Sequence, residues 1–198
     1  MERGDDIIDE SHSGPIITYI AEYTEGNPTG GIWTKIDEEG FDASSGKWAV
    51  DNLIAAKGMK DFTVPEQLAA GQYLIRQEII AHHESIKTFD EDPDNGAQFY
   101  PACVQVEVSG SGTAVPDQNF DFNTGYTYED PGIKFNMYDD IDSYPIPGPE
   151  VWKGTGGGSG ESGAGAGGSN TASAEDPAST PADTPADARR RLRFARRV

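Results

Sequence analysis

The segment QFYPACVQVEVS, residues 98–109, carries the alternation that predicts a β-strand. Valines occupy positions 104, 106 and 108, and polar residues fill the positions between them. Successive side chains of a strand point to opposite faces, so this pattern indicates one buried and one solvated face. We therefore interpret the chain around this segment first as β structure.

Four further runs rich in Ile, Val, Tyr and Phe are separated by Gly, Pro, Asn and Asp turns, which is typical of strands. They lie at residues 15–23, 31–36, 72–82 and 132–138. One short helix is predicted at residues 47–57, because Trp48, Leu53 and Ile54 can share its buried face. Several short strands with such turns favour an all-β sandwich or barrel.

The composition changes sharply after Trp152. Nine of the sixteen residues 154–169 are Gly, a run of Pro, Ala, Asp and Thr follows, and six of the last ten residues are Arg. Such sequences have little to bury and behave as flexible chains. We expect one sandwich domain over residues 1–152 and a disordered Gly/Ser/Pro-rich linker and Arg-rich tail over residues 153–198, a division that suits a chain of 198 residues.

The charge and the hydropathy exclude two kinds of partner. Lys plus Arg number 15 and Asp plus Glu number 34, a net charge of −19. Residues 1–152 hold 29 acidic and 8 basic side chains, and a body this acidic repels phosphate backbones, so nucleic acid is not an expected partner. No run approaches the ~18 apolar residues of a membrane span, so no membrane partner is expected either.

Two features suit a cytosolic protein when taken alone. The first residues, MERGDDIIDESHSGP, lack the basic and apolar regions of a secretory signal. Cys103 is the sole cysteine, so no disulfide can form within this chain.

The chain has three histidines, at positions 12, 82 and 83. His82 and His83 are adjacent at the end of a predicted strand, so their side chains point to opposite faces and cannot both serve one site. His12 precedes a Gly-Pro pair and another predicted strand. Ordinary surface or core histidines are the alternative interpretation of all three.

Gln98 and Tyr100 project from one face of the same strand, ~6–7 Å apart. With a nearby imidazole they could bind a metal or a small oxygen species, although an ordinary polar sheet face remains the alternative. The acidic loop at residues 90–96 resembles a calcium loop only superficially, because its glycine falls one place late. Carboxylate pairs for glycoside hydrolysis also stay open, since acidic residues are abundant.

Six blocks in a fixed order resemble the lytic polysaccharide monooxygenases of auxiliary activity family nine, formerly glycoside hydrolase family sixty-one. They are SHSGPIITYIA, WAVDNLIAAKG, DFTVPEQLAAGQYLIRQEIIAHH, GAQFYPACVQVEVSGSG, DPGIKFNMY and YPIPGPEVW. The resemblance covers residues 12–152 and implies an immunoglobulin-like or fibronectin-like β-sandwich that carries one copper ion on a flat face.

The resemblance assigns roles to five residues. It implies that His12 is a copper ligand of the histidine brace and that Tyr100 is the axial ligand. His83 and Gln98 would hydrogen-bond the copper-bound oxygen species, and Tyr144 would stack on a sugar ring. Neutral imidazole is a good copper ligand, and donors beside a metal orient what binds to it.

The implied activity is copper-dependent oxidative cleavage of cellulose or a related β-1,4-glucan at C1 or C4. The co-substrate would be O₂ or H₂O₂, an external donor would supply electrons, and the enzyme would be secreted and monomeric.

The chain also departs from the family's pattern. The family completes its brace with an N-terminal histidine, and Cys103 matches a cysteine whose partner lies in an N-terminal region that this chain lacks. Gln77 stands where a histidine is usual, and His82 replaces an apolar residue. We therefore expect an N-terminally truncated chain with little activity of its own. The alternative is a non-catalytic polysaccharide-binding sandwich that has kept the aromatic face at Tyr144.

Overall fold

A computed structural model describes residues 7–26 and 29–154 and the backbone of residues 191–193. In chain order its elements are β1 (Ile16–Glu22), β2 (Thr34–Glu39), β3 (Phe41–Asp42), β4 (Lys47–Trp48), α1 (Ala49–Ala55), β5 (Asp61–Thr63), β6 (Gly71–Ala81), β7 (Gln98–Val108) and β8 (Arg191–Arg193). The described part of the chain is built mainly of strands, so the expected all-β class is confirmed.

The largest sheet has four strands in the order β2-β1-β6-β7, and all neighbouring strands are antiparallel. β6 and β7 pair along their whole lengths, with Ala81 opposite Gln98. β1 pairs with the other side of β6, with Ile16 opposite Ile79. This register brings the start of β1, the end of β6 and the start of β7 to one end of the sheet.

Burial differs between the centre and the edge of this sheet. The first six residues of β1 are all buried, because the chain packs on both faces of this central strand. β7 lies at the edge and is mostly exposed, and the alternation expected from its sequence holds in its second half, where the valines are half-buried. No other strand of the described residues pairs with the outer edge of β7.

Two apolar clusters cover the opposite faces of the sheet. Ile20 and Ile75 belong to one cluster, and Ile17 and Tyr19 belong to the other, as the period of two in a strand requires. The loop after β7 closes the second cluster, with the ring of Phe120 stacked 5.3 Å from that of Tyr19. That long loop is thereby held against the sheet.

The helix α1 is shorter than the predicted range 47–57. Lys47 and Trp48, the first two residues of that range, form strand β4 and pair with β3. The Asp51 carboxylate accepts a hydrogen bond from the backbone N–H of Trp48 at 2.8 Å and so caps the first turn. Gly58, with a φ of 81°, ends the helix by donating its N–H to the Leu53 carbonyl at 2.9 Å. The buried side of α1 packs on Ile16 at the start of β1.

Two strand predictions differ from the structure. The run predicted at residues 31–36 forms its strand at Thr34–Glu39. The run predicted at residues 132–138 is not a strand. The Asp130-Pro131-Gly132 sequence turns the chain, and the Asp130 carbonyl accepts a hydrogen bond from the Ile133 N–H at 2.9 Å. The backbone N–H and C=O groups of this segment therefore form hydrogen bonds within turns instead of between β-strands.

The predictions for the C-terminal region lie largely outside the described residues. Of residues 153–198 the structure describes only residues 153 and 154 and the strand β8, whose backbone pairs antiparallel with β5. Within the part of the chain that the structure covers, α1 and every other helical segment are too short or too polar to span a bilayer.

Candidate active site at one end of the main sheet

Four of the residues singled out by sequence stand where three strands end. His12 lies four residues before β1, His83 lies two residues after β6, and Gln98 and Tyr100 lie at the start of β7. Ile79 of β6 is opposite both Ile16 of β1 and Tyr100 of β7. The sheet register, and not proximity in sequence, therefore brings these side chains together.

The rings in this cluster are in direct contact. The His12 and His83 ring centroids are 4.1 Å apart, with the rings tilted by 37°. The Tyr100 ring meets His12 edge-on at 5.5 Å. The Tyr100 hydroxyl donates a hydrogen bond to the Gln98 side-chain oxygen at 2.6 Å. One small area of the surface thus holds two imidazoles, a phenol and a carboxamide.

The segment before β1 positions His12. The His12 backbone N–H donates to the Asp9 carbonyl at 3.0 Å, and the His12 Nδ1 atom lies 3.2 Å from the Ser11 hydroxyl. Hydrogen bonds from Ser11 hold the pKa of the Asp9 carboxyl below its usual range, and the two nearby histidines act in the same direction. The turn at residues 9–12 therefore fixes the start of the strand and the ring beside it.

His83 is biased towards its neutral form. Burial lowers its pKa, and the neighbouring His12 lowers it further. Its Nδ1 atom is buried and has no hydrogen-bond partner among residues 7–26 and 29–154. A neutral imidazole with an unused polar atom is suited to contact a group bound beside it.

His82 points away from this cluster, as expected for adjacent strand residues. Its ring is completely buried, with Nδ1 2.8 Å from the Ser85 hydroxyl and Nε2 2.9 Å from the Tyr144 hydroxyl. Burial lowers the pKa of His82 to about 4. This histidine is a neutral core residue and takes no part in the surface site.

Tyr144, for which the resemblance implies stacking on a sugar, is buried in this structure. Its side chain is only 9% exposed, and its hydroxyl donates to the Gly132 carbonyl at 2.6 Å. Its ring packs edge-on against Trp48 at 4.9 Å and Phe135 at 5.0 Å. Tyr144 is therefore a core residue in this structure.

Tyr138 is the aromatic residue that the sequence interpretation missed. It is 65% exposed, and its hydroxyl donates to the His83 carbonyl at 3.0 Å. The sequence placed it at the end of a strand that does not form, so its exposure could not be foreseen. A flat exposed ring is thus tied directly to the backbone of the site.

Two carboxylates of the acidic loop at residues 90–96 are paired with lysines. Its Glu91 carboxylate pairs with Lys134 at 2.7 Å, and its Asp92 carboxylate pairs with Lys87 at 3.0 Å. Within residues 7–26 and 29–154, no three His, Cys, Asp or Glu side chains gather as a metal-binding group. Cys103 is a free cysteine that is exposed on β7.

The chain matches one protein family over most of its length. The family model described as Auxiliary Activity family 9 (formerly GH61) matches residues 2–144. An AA9 family lytic polysaccharide monooxygenase A from Collariella virescens is 66% identical over 155 residues, which are 77% of this chain and 57% of that protein. One from Aspergillus fumigatus is 49% identical over 170 residues, or 86% of this chain and 46% of that protein.

Solved structures agree with the sequence comparisons. The structure of CvAA9A matches with a TM-score of 0.74 and 66% identity, and the match covers 77% of this chain and 68% of that one. The chain belongs to Auxiliary Activity family 9, the lytic polysaccharide monooxygenases, and its fold is the β-sandwich expected from the resemblance. It spans about half the length of the curated relatives that it matches.

Proposed function

We propose that the cluster at the end of the sheet is part of a copper site, and that the protein oxidatively cleaves cellulose or a related β-1,4-glucan. Oxidation would occur at C1, C4 or both. The observation that supports this proposal is the convergence of His12, His83, Gln98 and Tyr100 in a member of this family.

The donor groups in the cluster fit copper. His12 would supply an imidazole nitrogen and Tyr100 a more distant phenol oxygen, and both are groups that copper accepts in proteins. The centroids of the two rings are 5.5 Å apart, so the phenol and the imidazole are neighbours. His12 and Tyr100 are thus the ligands that the described residues supply.

The bound metal, once reduced by an external donor, would activate O₂ or H₂O₂ for attack on a C–H bond. The side chains around the metal would bind and orient this co-substrate. Because the Gln98 oxygen accepts the Tyr100 hydroxyl, its NH₂ group remains available as a donor over the site. The His83 ring lies against that of His12 and limits the space beside it.

We assign the sugar-stacking role to Tyr138 instead of Tyr144. The Tyr138 ring is exposed and is anchored through its hydroxyl to the backbone of His83. Aromatic faces bind the apolar faces of sugar rings, because both are flat and weakly hydrated. A glucan chain lying on Tyr138 would pass beside His12.

Copper titration followed by electron paramagnetic resonance tests the ligand assignment on this chain. We expect a weak single copper site with nitrogen coupling, which His12→Ala removes and Cys103→Ser leaves unchanged. Cys103 is the matched control, because its exposed thiol is a group that metals accept and it does not belong to the cluster. Wild-type copper binding by His12→Ala would refute the assignment.

The oxidative activity is tested on the domain extended so that it begins with an exposed histidine, as the family's brace requires. We expect oxidised oligosaccharides from cellulose with copper and ascorbate, measured by mass spectrometry. Replacing Gln98 or His83 by Ala should lower the yield by roughly 10–100-fold, the effect typical of groups that orient metal ligands. An extended protein that binds copper and yields no oxidised product would refute the proposal.

The non-catalytic alternative loses the residue on which it relied, because Tyr144 is buried.

We further propose that the protein acts outside the cell as a monomer and uses an external electron donor. The proposed division is a sandwich over residues 1–152 and a linker and tail over residues 153–198.

A further inference from the structure

His83 lies in a four-residue turn that directly follows β6. The His82 carbonyl accepts the Ser85 N–H at 3.1 Å and closes the turn, so His83 is one of its two central residues. The His82 N–H donates to the Ser13 carbonyl at 2.9 Å, and Ser13 is the residue after His12. The position of the His83 ring against His12 therefore depends on the shape of this turn.

Ser85 is the buried end of the turn and is bonded to a second segment. It is 0% exposed, and its hydroxyl lies 2.6 Å from the Phe135 carbonyl. The Phe135 N–H donates in return to the Ser85 carbonyl at 3.0 Å. Two hydrogen bonds thus join the turn to the segment at residues 132–138, which carries Tyr138.

The Ser85 hydroxyl has one proton and three acceptors within reach. The Phe135 carbonyl is the nearest, at 2.6 Å, whereas the His82 Nδ1 atom lies at 2.8 Å and the His82 carbonyl at 3.1 Å. A carbonyl can only accept, and an imidazole nitrogen can also donate, so the shortest contact requires the serine proton. The proton therefore goes to the Phe135 carbonyl, and the His82 ring donates to the Ser85 oxygen.

The other contacts of the turn are weaker constraints or cannot be changed by a side chain. The Tyr138 hydroxyl donates to the His83 carbonyl at 3.0 Å, but this bond is exposed and water competes for both groups. The Glu84 carbonyl accepts the Gly96 N–H at 2.8 Å, which is a backbone contact. The buried Ser85 hydroxyl has no water to replace its partner, so the loss of this bond costs more.

We propose that Ser85 is a positioning residue, whose hydroxyl fixes the turn so that the His83 ring stays in contact with the His12 ring. Ser85 lies outside the cluster and acts only through the direction of His83. This inference rests on the proposed function, because it takes His83 to act beside the copper site.

Nuclear magnetic resonance of the full chain without metal tests the proposal. The chain has three histidines, so His12→Ala and His82→Leu assign all three ring signals. The His12 and His83 ring centroids are 4.1 Å apart, so the wild type should show a strong nuclear Overhauser cross-peak between the two rings. Ser85→Ala should weaken this cross-peak several-fold, because its side chain no longer bonds the turn to Phe135. An undiminished cross-peak in Ser85→Ala would overturn the proposal.

His82→Leu also separates the serine from the imidazole that is bonded to it. This substitution leaves the Ser85 hydroxyl bonded to the Phe135 carbonyl. His83 should therefore keep its cross-peak with His12. A cross-peak lost in His82→Leu would assign the positioning to the His82 ring and overturn the role of Ser85.

Thr34→Val is the matched control for removal of a buried hydroxyl. Thr34 is 1% exposed, and its hydroxyl donates to the Asp117 carboxylate at 2.7 Å. It lies on β2, which is not paired with β6, so the control should keep the cross-peak. A loss equal to that in Ser85→Ala would show that any loosening of the core has this effect, and the proposal would be wrong.

Ser85→Cys provides a graded variant that nearly preserves the size of the side chain. A thiol donates only weakly, so the cross-peak should lie between those of the wild type and Ser85→Ala. If Ser85→Ala does not fold, Ser85→Cys carries the same test, and a cross-peak of wild-type strength would overturn the proposal.

Activity of the extended domain separates this inference from the proposed function. Ser85→Ala should lower the yield of oxidised oligosaccharides by up to the roughly 10–100-fold expected of His83→Ala, and Thr34→Val should leave it unchanged. If the cross-peak weakens and the yield does not change, Ser85 positions His83 and the role of His83 beside copper is wrong. If Ser85→Ala keeps the cross-peak while the extended wild type yields oxidised product, the positioning is wrong and the proposed function stands.

Discussion

Arg76→Met should destabilise the domain strongly at neutral pH. Glu78 is 1% exposed, and its carboxylate is paired with the Arg76 guanidinium. Burial raises the pKa of Glu78 and Arg76 opposes that increase. Removing one member of a buried pair costs about 3–5 kcal/mol, because the remaining charge is left in a poor solvent. For a domain of this size the melting temperature should fall by roughly 6–20 °C.

The stability lost in Arg76→Met should increase as the pH rises. Without Arg76 the pKa of Glu78 is raised further, so the native state binds a proton that the unfolded chain releases above its ordinary value of 4.5. Stability of the variant therefore falls as pH rises above about 4.5, by at most ~1.4 kcal/mol per pH unit. The effect of Arg76→Met should be small at pH 4.5 and large at pH 7.

Urea unfolding followed by tryptophan fluorescence at both pH values measures this effect. The double variant Arg76→Met, Glu78→Gln should recover much of the stability, since no buried charge remains. Arg76→Lys should lie between wild type and Arg76→Met, because it keeps the charge and loses the planar stacking of the guanidinium 4.1 Å above Phe122. An Arg76→Met variant within about 0.5 kcal/mol of wild type at pH 7, or a double variant as unstable as the single one, would refute the reasoning.

Three further outcomes are expected. Since burial depresses the pKa of His82 to about 4 from an ordinary 6.5, the native state resists protonation, and stability should decline as pH falls from 6.5 to 4. The loss is at most about 3 kcal/mol, and replacing His82 by Gln should flatten it in urea titrations across that range. Tyr144→Phe removes the hydroxyl bonded to the Gly132 carbonyl and His82, so it should cost about 1–3 kcal/mol in the same assay while cellulose pull-down is retained. Tyr138→Ala should reduce cellulose pull-down several-fold. Its melting temperature should be unchanged, since the Tyr138 ring is exposed. Undiminished retention on cellulose would show that Tyr138 is not part of the binding surface.

Strand pairing explains why the four residues that the sequence singled out lie close together. Each lies near a strand end in a block that resembles the family, and the antiparallel register brings those ends together. The alternation in β7 and the run of apolar residues in β1 were sufficient to place these strands within a residue or two. Local patterns are reliable here because strand periodicity reflects burial directly.

The errors lie in segments whose structure depends on what they pack against. Tyr138 and Tyr144 are both tyrosines in family-like blocks, six residues apart, and no local pattern distinguishes the exposed ring from the buried one. The strand expected at residues 132–138 had apolar residues, but the turn at Asp130 used the backbone groups that a ladder would need. The Glu91 carboxylate in the loop between β6 and β7 pairs with Lys134, 43 residues away in sequence, and no local pattern predicts that contact.

The amino-acid sequence by itself determined the β class and the family, and it singled out the four residues that converge, because periodicity and ordered blocks are properties of the chain. Only the tertiary structure decided which tyrosine is exposed, which histidine is buried in the core, and where a cavity opens beside Gln98. These outcomes depend on contacts between residues far apart in the chain, and such contacts form through packing that no local pattern records.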